Sequence, residues 1–447
     1  MVGMERQQDY VLRTVEERGV RFIQLWFTDV LGTPKAFSIT PADLEIALEE
    51  GMTIDGSAVD GFSRVQEADV LARPDAKTFQ ILPLPQHEAP VARMFCDVTN
   101  LDGTAFAGDP RNVLRRALES ARERGFSFYA SPDLEYFYFA QASTTAPLKP
   151  LDNGSYFDLT PSDVANDVRK ETVLTLEDMG IPVEKSQHED APSQHEIDLR
   201  YTDALTMADT VMTTRMVVKE VASRHGIYAT FMPKPLAGVQ GSGMHTHLSL
   251  FEGDTNAFHD PGDEYGLSKV AKGFIAGLLT HAREITAVTN QWVNSYKRLV
   301  VGYEAPVYVA WARNNRSVVV NVPHAKRGKF ESTRIEYRAP DPAANPYLAF
   351  AVILAAGLKG VHEGYPLAEE TVANLYQSTA EERMAEGITT LPGSLSEAVA
   401  EMERSELVAE TLGEHVFEWF IRNKRAEWAE YKTQVTQFEL DRYLPRL

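Results

Sequence analysis

With one cysteine in 447 residues, Cys96, the chain cannot close an internal disulfide, and a reducing compartment suits it. Cys96 sits in the apolar run VARMFCDV and reads as a core residue. Long apolar runs are also missing. The longest, LAFAVILAAGL at 348 to 358, is too short to cross a bilayer, and MVGMERQQDY lacks the basic-then-apolar pattern of an export signal. Basic residues are scarce beside acidic ones: 44 against 64 leave a formal charge of -20, which repels nucleic acid and anionic membranes at long range. A cytoplasmic protein without nucleic-acid or membrane partners is expected. The Walker phosphate loop and the dinucleotide GxGxxG are absent too, and the GSG tripeptide at 241 to 243 reads alone as a turn. No solenoid repeat or low-complexity segment is visible.

What is present suits more than one domain, since 447 residues at 44% hydrophobic can bury a sizeable core. Val11, Leu12 and Val15 recur at helical spacing before Gly19, and VRFIQLWFTD reads as a strand, followed by the turn GTPK and a second strand AFSIT. A helix near 41 to 50 and strands near 78 to 83 and 91 to 98 complete a small mixed sheet. The opening GDPRNVLRRAL, with Asp109 as N-cap and Pro110 at the first helical position, marks a boundary near 105, giving domains 1–105 and 106–447. Beyond it, strands at 126–139, 181–189, 194–201, 227–232, 243–250, 316–322 and 333–338 alternate with helices at 162–179, 203–225, 266–288 and 345–360. That count predicts an α+β domain, its helices packed outside a curved sheet. The tail from 394 to 433 reads as helical, with a core or subunit-contact stripe of Phe417, Phe420, Ile421 and Trp428.

The chemistry lies in a period of two. Residues i and i+2 of a strand face the same way, and three strand-like stretches set polar pairs on one face. These are Asp133 and Glu135 in SPDLEYFYF, His245 and His247 in GSGMHTHLSL, and Glu336 and Arg338 in RIEYRAP. QHEDAPSQHEIDLR adds Glu189 and Glu196 in a segment that reads as a buried hairpin. Five carboxylates and two imidazoles gathered in one cleft would repel by several kcal/mol unless divalent cations neutralised them. A carboxylate-rich set with histidine and no thiolate suits Mg²⁺ or Mn²⁺ better than structural zinc. Arg298, Arg313, Arg316, Arg334, Arg338 and the basic loop AKRGK at 325–329 then suggest phosphoryl transfer, with ATP as donor.

These residues spell a family. The chain resembles type I glutamine synthetase through DGSAVDGF at 55–62, FMPKPLAGVQGSGMHTHLSL at 231–250, NSYKRLVVGYEAP at 294–306, NRS at 315–317 and RIEYRAPDPAANPYLAFA at 334–351. It looks most like the short actinobacterial form, which includes γ-glutamyl-amine ligases. The resemblance implies a β-grasp N-terminal domain, a glutamine synthetase/guanido kinase-like catalytic domain with a curved antiparallel sheet, and a dodecamer of two stacked hexameric rings. It implies two or more Mg²⁺ or Mn²⁺ per site, the first on Glu135, Glu189 and Glu196 and the second on Asp133, His245 and Glu336. Arg298 and Arg338 match binders of the substrate carboxylate, with Gly241 and His245 also on the substrate side. Arg316 matches the arginine that stabilises the transferred phosphoryl group. Glu304 matches the flap residue that takes a proton from the incoming amine. Asp55 matches an aspartate supplied by a neighbouring subunit to bind ammonium, and Tyr156 borders that pocket. Tyr201, His247, Ser249 and Arg334 match nucleotide contacts.

The implied reaction is ATP-dependent ligation of ammonium to the γ-carboxylate of L-glutamate through γ-glutamyl phosphate. The alternatives are a ligase for a polyamine, ethanolamine or other organic amine, and a catalytically silent scaffold protein. Several positions depart from the family pattern. Asp133 stands for glutamate and shortens the ligand by roughly 1.3 Å. Asn321 replaces a nucleotide-side arginine, with Lys326, Arg327 or Lys329 as possible substitutes, Gln240 replaces asparagine, and Gln187 replaces the first histidine of HHE. Ala58 removes a hydroxyl beside the ammonium pocket, either a neutral change beside the retained Asp55 or one that admits an alkyl-amine. Tyr376 lies where some relatives are adenylylated, in different flanking sequence.

Overall fold

The computed structural model describes residues 2–61, 69–83, 89–143, 148–159, 164–324, 329, 332–373 and 375–447, with side chains from residue 6 onward. Lys326, Arg327 and Phe62 lie outside the described residues.

The N-terminal sheet uses β1 (Phe22–Thr28), β2 (Pro34–Ile39), β3 (Met52–Asp55), β4 (Asp69–Pro74), β5 (Gln80–Ile81) and β6 (Val91–Thr99). Its order is β2-β1-β6-β4-β3, with β5 beside β6, and only β1 and β6 run parallel among its pairs. Ile23, Leu25 and Phe27 alternate inward along β1. They meet Val11 and Val15 of helix α1 (Val2–Glu17) and Leu44, Ala47 and Leu48 of α2 (Leu44–Glu49) in one core, which also holds Cys96. The strand expected over 78–83 shrinks to two residues because Thr78 closes a 3₁₀ turn capped by Asp75. β3 and β4 escaped the sequence reading: β3 alternates half-buried with exposed residues, and part of the turn before β4 lies outside the described residues.

The second sheet has eleven strands. They are β7 (Ser127–Phe139), β8 (Val183–His188), β9 (Gln194–Leu199), β10 (Thr202–Asp203), β11 (Tyr228–Thr230), β12 (Met244–Glu252), β13 (Thr255–Asn256), β14 (Tyr308–Ala312), β15 (Val318–Asn321), β16 (Ile335–Tyr337) and β17 (Thr389–Thr390). The main path runs β17-β14-β15-β16-β12-β7-β9-β8. It is antiparallel as expected except at β14 and β15, which run parallel.

Against this sheet pack α3 (Pro110–Glu123), α4 (Val164–Asp178), α5 (Ala204–Arg224), α6 (Lys269–Thr289), the single turn α7 (Ser295–Arg298) and α8 (Pro346–Glu363). The apolar run at 348–358 is the buried body of α8. α8 crosses α6 so closely that a Cβ on Gly360 would lie 2.1 Å from the Gly273 carbonyl oxygen, and one on Gly277 2.2 Å from that of Ala356. The tail from 394 to 433 is helical as expected, in three pieces, α10 (Leu395–Met402), α11 (Glu406–Leu412) and α12 (Glu414–Tyr431), with α9 (Ala380–Ala385) before it and α13 (Gln437–Tyr443) after it; Ser405 caps α11, and Gly413, at φ 76°, turns into α12. Phe420 and Ile421 are buried, and Phe417 and Trp428 pack half-buried on the same core.

The two sheets are tied by buried polar groups. Arg111 reaches from α3 to Asp75 and Asp97 of the first unit and to both oxygens of Asp209 on α5. Asn345 donates to the carbonyls of Asp29 (3.2 Å) and Val30 (3.1 Å), and Gln291 to that of Leu31 (2.6 Å).

Candidate functional site

Register does in space what the two-residue period does along the chain. Asn321 on β15 stands opposite Glu336 on β16, and Glu336 opposite His247 on β12. His245 pairs with Asp133 on β7, Asp133 with Asp198 on β9, Glu135 with Glu196, and Glu196 with Gln187 on β8. Directly opposed residues share a sheet face, so the polar set forms one band across β15, β16, β12, β7, β9 and β8.

The band floors a cavity of about 250 Å³. It gathers Asp133, Glu135, Tyr156, Glu189, Glu196, Gly241, His245, His247, Arg298, Glu304, Arg316, Glu336 and Arg338. Asp55, Tyr201, Ser249, Arg313 and Arg334, singled out from sequence, stand outside its lining. Asp55 is exposed on the first unit, where its carboxylate caps Ser57. Arg334 is adjacent, its Nε donating to His247 Nδ1 at 3.3 Å. Tyr201 is 62% exposed and meets Tyr129 edge-on, and Tyr129 stands opposite Ser249. Arg313 is engaged elsewhere, in a two-oxygen ion pair with Glu370. A larger cavity, of about 500 Å³, lies between α3, α8 and α11, but no cluster of converging ligands opens into it among the described residues.

On the β7–β9–β8 side three carboxylates converge, with no guanidinium among the described residues bonded to them. Glu135 Oε2 accepts from Gly243 N at 2.9 Å and Gln194 Nε2 at 3.0 Å. The Gln187 amide is shared between Glu189 Oε1, at 3.0 Å, and Glu196 Oε2. Burial, a hydrogen bond with Glu189 and the charges of Asp198, Glu135 and Glu189 push the Glu196 carboxyl up to about 12. Burial and the charge of Glu189 raise Glu135 to about 8. Buried carboxyls that ionise this reluctantly, facing one another, form a donor set suited to a divalent cation. Asp133, Glu196 and Asp198 also bring ligand oxygens within 4.8 Å of one another, with Lys185 Nζ 2.9 Å from Asp198.

On the β12–β16 side His245 Nδ1 lies 3.8 Å from both Glu135 and Glu336. Burial and the Arg338 charge hold its imidazole well below the usual range, so the ring is neutral and has a lone pair to offer a metal. Glu336 is ionised despite burial, because Arg338 and the two histidines stabilise its charge and Arg338 Nη1 binds it at 2.5 Å. Asn321 donates to the other Glu336 oxygen at 2.7 Å, so it orients this carboxylate. Asp133 is held by His247 Nε2 at 3.2 Å.

Arg298 donates to the carbonyls of Arg338, Ala339 and Pro340 and is wholly buried. The GSG tripeptide exists for space: a Cβ on Gly243 would lie 2.7 Å from both Arg298 Nη2 and His245 Nε2, and one on Gly241 2.4 Å from the Pro233 carbonyl oxygen. Arg338 Nε is buried without a partner among the described residues, a donor suited to an anion. Glu304 occupies the left-handed region at φ 57°, in an exposed turn that ends where Tyr376 Oη donates to the Ala305 carbonyl at 3.3 Å.

Sequence reasoning missed Lys185, Gln194, Asp198 and Tyr303. The first three carried a signal: Gln194 and Asp198 flank Glu196 at i±2, and Lys185 precedes Gln187 by two, so the same period placed them on the site face.

Comparison with known proteins gives a consistent picture. A family model described as "Glutamine synthetase, beta-Grasp domain" matches residues 19–101, and one described as "Glutamine synthetase, catalytic domain" matches 107–443. Glutamine synthetase of Mycolicibacterium smegmatis is 56% identical over 99% of this chain and 100% of its own length. That of Mycobacterium tuberculosis is 55% identical over the same shares, and that of Thermotoga maritima 48% over 97% of this chain and 98% of its own. A solved GmaS structure in complex with ADP superposes with a TM-score of 0.87 at 34% identity, covering 97% of this chain and 99% of that one.

Proposed function

The chain belongs to the glutamine synthetase family, and from that premise we propose that it ligates ammonium to the γ-carboxylate of L-glutamate with ATP, through γ-glutamyl phosphate. The observation that carries the proposal is the in-register band of carboxylates and histidines from Glu336 to Gln187, roofed by Arg298, Arg316 and Arg338. A carboxylate resists attack by an amine because its oxygen is a poor leaving group, so the γ-oxygen is phosphorylated first and phosphate departs when the amine attacks.

Glu135, Glu189 and Glu196 would hold one Mg²⁺ or Mn²⁺, and Asp133, His245 and Glu336 a second. Bound there, the cations neutralise the carboxylates and the ATP phosphates. Arg338, with its uncommitted Nε, binds the substrate carboxylate beside Arg298 and the Gly241 backbone, and Arg316 stabilises the transferring phosphoryl group. Asp55 takes a proton from bound ammonium, the ammonia so formed attacks the acyl phosphate, and Glu304 receives a proton from the adduct as phosphate departs, while its flap shields the acyl phosphate from water. Tyr201, exposed between β9 and β10 beside the start of β7, offers a face to adenine near Ser249, Arg334 and His247. Asp55 completes the ammonium pocket from a neighbouring subunit of a cytoplasmic dodecamer, the first unit ending near residue 105. No described helix is long and apolar enough to cross a membrane.

Ammonium is taken as the acceptor because relatives at 48 to 56% identity over nearly the whole chain are named glutamine synthetase. The test is phosphate release by the purified protein with glutamate, ATP and Mg²⁺, comparing ammonium with putrescine, spermidine and ethanolamine at matched free-amine concentrations. A tenfold or greater preference for ammonium is expected. Preference for an organic amine would overturn the acceptor assignment, and no turnover with any amine would overturn the enzyme reading.

A further inference from the structure

We propose that Asp152 is a positioning residue: it locks the loop bearing Tyr156 to the β8–β9 hairpin bearing Glu189 and Glu196, and so sets the cation and ammonium affinities of the site. The inference deepens the reading above and rests on it for the word ammonium.

The residues lie behind the cavity. His188 and His195 oppose each other on the face of β8 and β9 away from Gln187 and Glu196, with ring centroids 4.8 Å apart. Asp152 Oδ1 accepts three bonds, each of 2.9 Å: from Gly154 N in its own loop, and from Ser193 N and His188 Nε2 in the hairpin. Ser193, at φ 61°, returns the contact, its hydroxyl accepting from Leu151 N at 2.6 Å and Asp152 N at 3.1 Å. Phe157 N, on the far side of Tyr156, donates to the His188 carbonyl at 3.1 Å. The fit is tight, since a Cβ on Gly154 would lie 2.5 Å from His188 Nε2.

Asp152, His188 and His195 have the spacing of a metal set, with ligand atoms within 4.8 Å. Their hydrogen bonds say otherwise. His188 Nδ1 lies 2.6 Å from the Glu189 carbonyl oxygen and its Nε2 2.9 Å from Asp152 Oδ1, so both ring nitrogens are engaged. Arg169 can only donate, so His195 Nδ1, 2.6 Å from it, accepts, and Nε2 carries the hydrogen toward Asp152 Oδ2, 4.0 Å away. Both His188 nitrogens and His195 Nδ1 are taken up by hydrogen-bond partners, and the cluster is a strut.

The strut ends at the chemistry. Tyr156 and Glu189 follow its anchor points by four residues and one, and the Gln187 amide that joins Glu189 to Glu196 lies 3.5 Å from the Tyr156 hydroxyl. Releasing the loop therefore loosens the wall of the ammonium pocket and two carboxylates of one cation site together.

The test uses the full-length D152A, D152N and G154A proteins. Mn²⁺ affinity is read by electron paramagnetic resonance without substrates, and KM is measured separately for ammonium, glutamate and ATP. Outer partners of metal ligands typically set 10- to 100-fold in affinity. D152A is expected to weaken Mn²⁺ binding by about tenfold and raise KM for ammonium by at least that factor, with KM for ATP changed less than twofold. G154A, which displaces His188 without removing a charge, is expected to move the same two constants. D152N keeps the shape of the loop and decides the question should D152A not fold, with the same direction expected. A fall in thermal stability with Mn²⁺ affinity and KM unchanged would overturn the proposal. A wild-type protein that binds Mn²⁺ but turns over no ammonium would sink the ammonium reading alone, and the Mn²⁺ arm would still judge Asp152.

Discussion

Replacing Glu196 by Gln should stabilise the metal-free protein and abolish its response to metal. In the folded chain the Glu196 carboxyl sits at about 12 against an ordinary 4.5, because it is buried beside Glu189, Glu135 and Asp198. A carboxyl raised on folding contributes stability that is complete below 4.5 and is lost as pH rises, since the unfolded chain ionises while the folded chain does not. The slope is about 1.36 kcal/mol per pH unit, so at pH 7.5 the accumulated penalty approaches about 4 kcal/mol. Unfolding entropy of roughly 2.1 cal/mol/K per residue over 447 residues is about 0.9 kcal/mol/K, so the penalty is about 4 °C in Tm.

Glutamine has no proton to lose. Thermal unfolding in EDTA should therefore show E196Q matching wild type near pH 5 and exceeding it by about 4 °C at pH 7.5. Mn²⁺ at a hundred times its Kd should add about 2.7 kcal/mol, or roughly 3 °C, to wild type. With affinity a hundredfold lower, E196Q should gain less than about 1 °C at the same concentration. A difference between the two proteins that is negative in EDTA, or that does not grow with pH, would refute the account of the cluster as carboxylates held apart from their cation.

Three further substitutions test other parts of the structure. Arg111→Ala leaves the buried Asp209 without its ion pair, while Arg115 still holds Asp75 and Asp97, and should cost about 3 to 5 kcal/mol, read as a fall of roughly 3 to 5 °C in calorimetry. Gly360→Ala drives a methyl group into the Gly273 carbonyl and should cost at least about 1 to 3 kcal/mol by overpacking, measured by denaturant unfolding. Lys185→Met removes the cation 2.9 Å from Asp198 on the cavity wall. One unit-charge contact at water-like dielectric is about 1 kcal/mol, so the kcat/KM ratio of putrescine to ammonium should rise about fivefold.

Most of the site was legible because β strands carry it, and a strand writes its two faces into alternate letters. Glu135, His245 and Glu336 each sit two residues from another polar group in an apolar run, which only a sheet face explains. What the sequence could not supply is register. That Asp133 stands opposite both His245 and Asp198, and Glu196 opposite both Glu135 and Gln187, depends on strand pairings across long loops. The same limit hid Asp152, whose three donors come from residues 154, 188 and 193. The breaks within the helical tail were hidden for a different reason. Ser405 and Gly413 do announce their caps, yet apolar periodicity runs through both because α10, α11 and α12 bury their apolar faces in one core. Periodicity reports which side is buried, and a chain that turns without changing its buried side leaves that signal unbroken. The back face of β8 and β9 follows the same logic in reverse: His188 and His195 alternate away from the site, and their polarity marks a second polar layer beneath the carboxylates. In a sheet only one residue thick, that layer is the ground on which Glu189 and Glu196 can be held still.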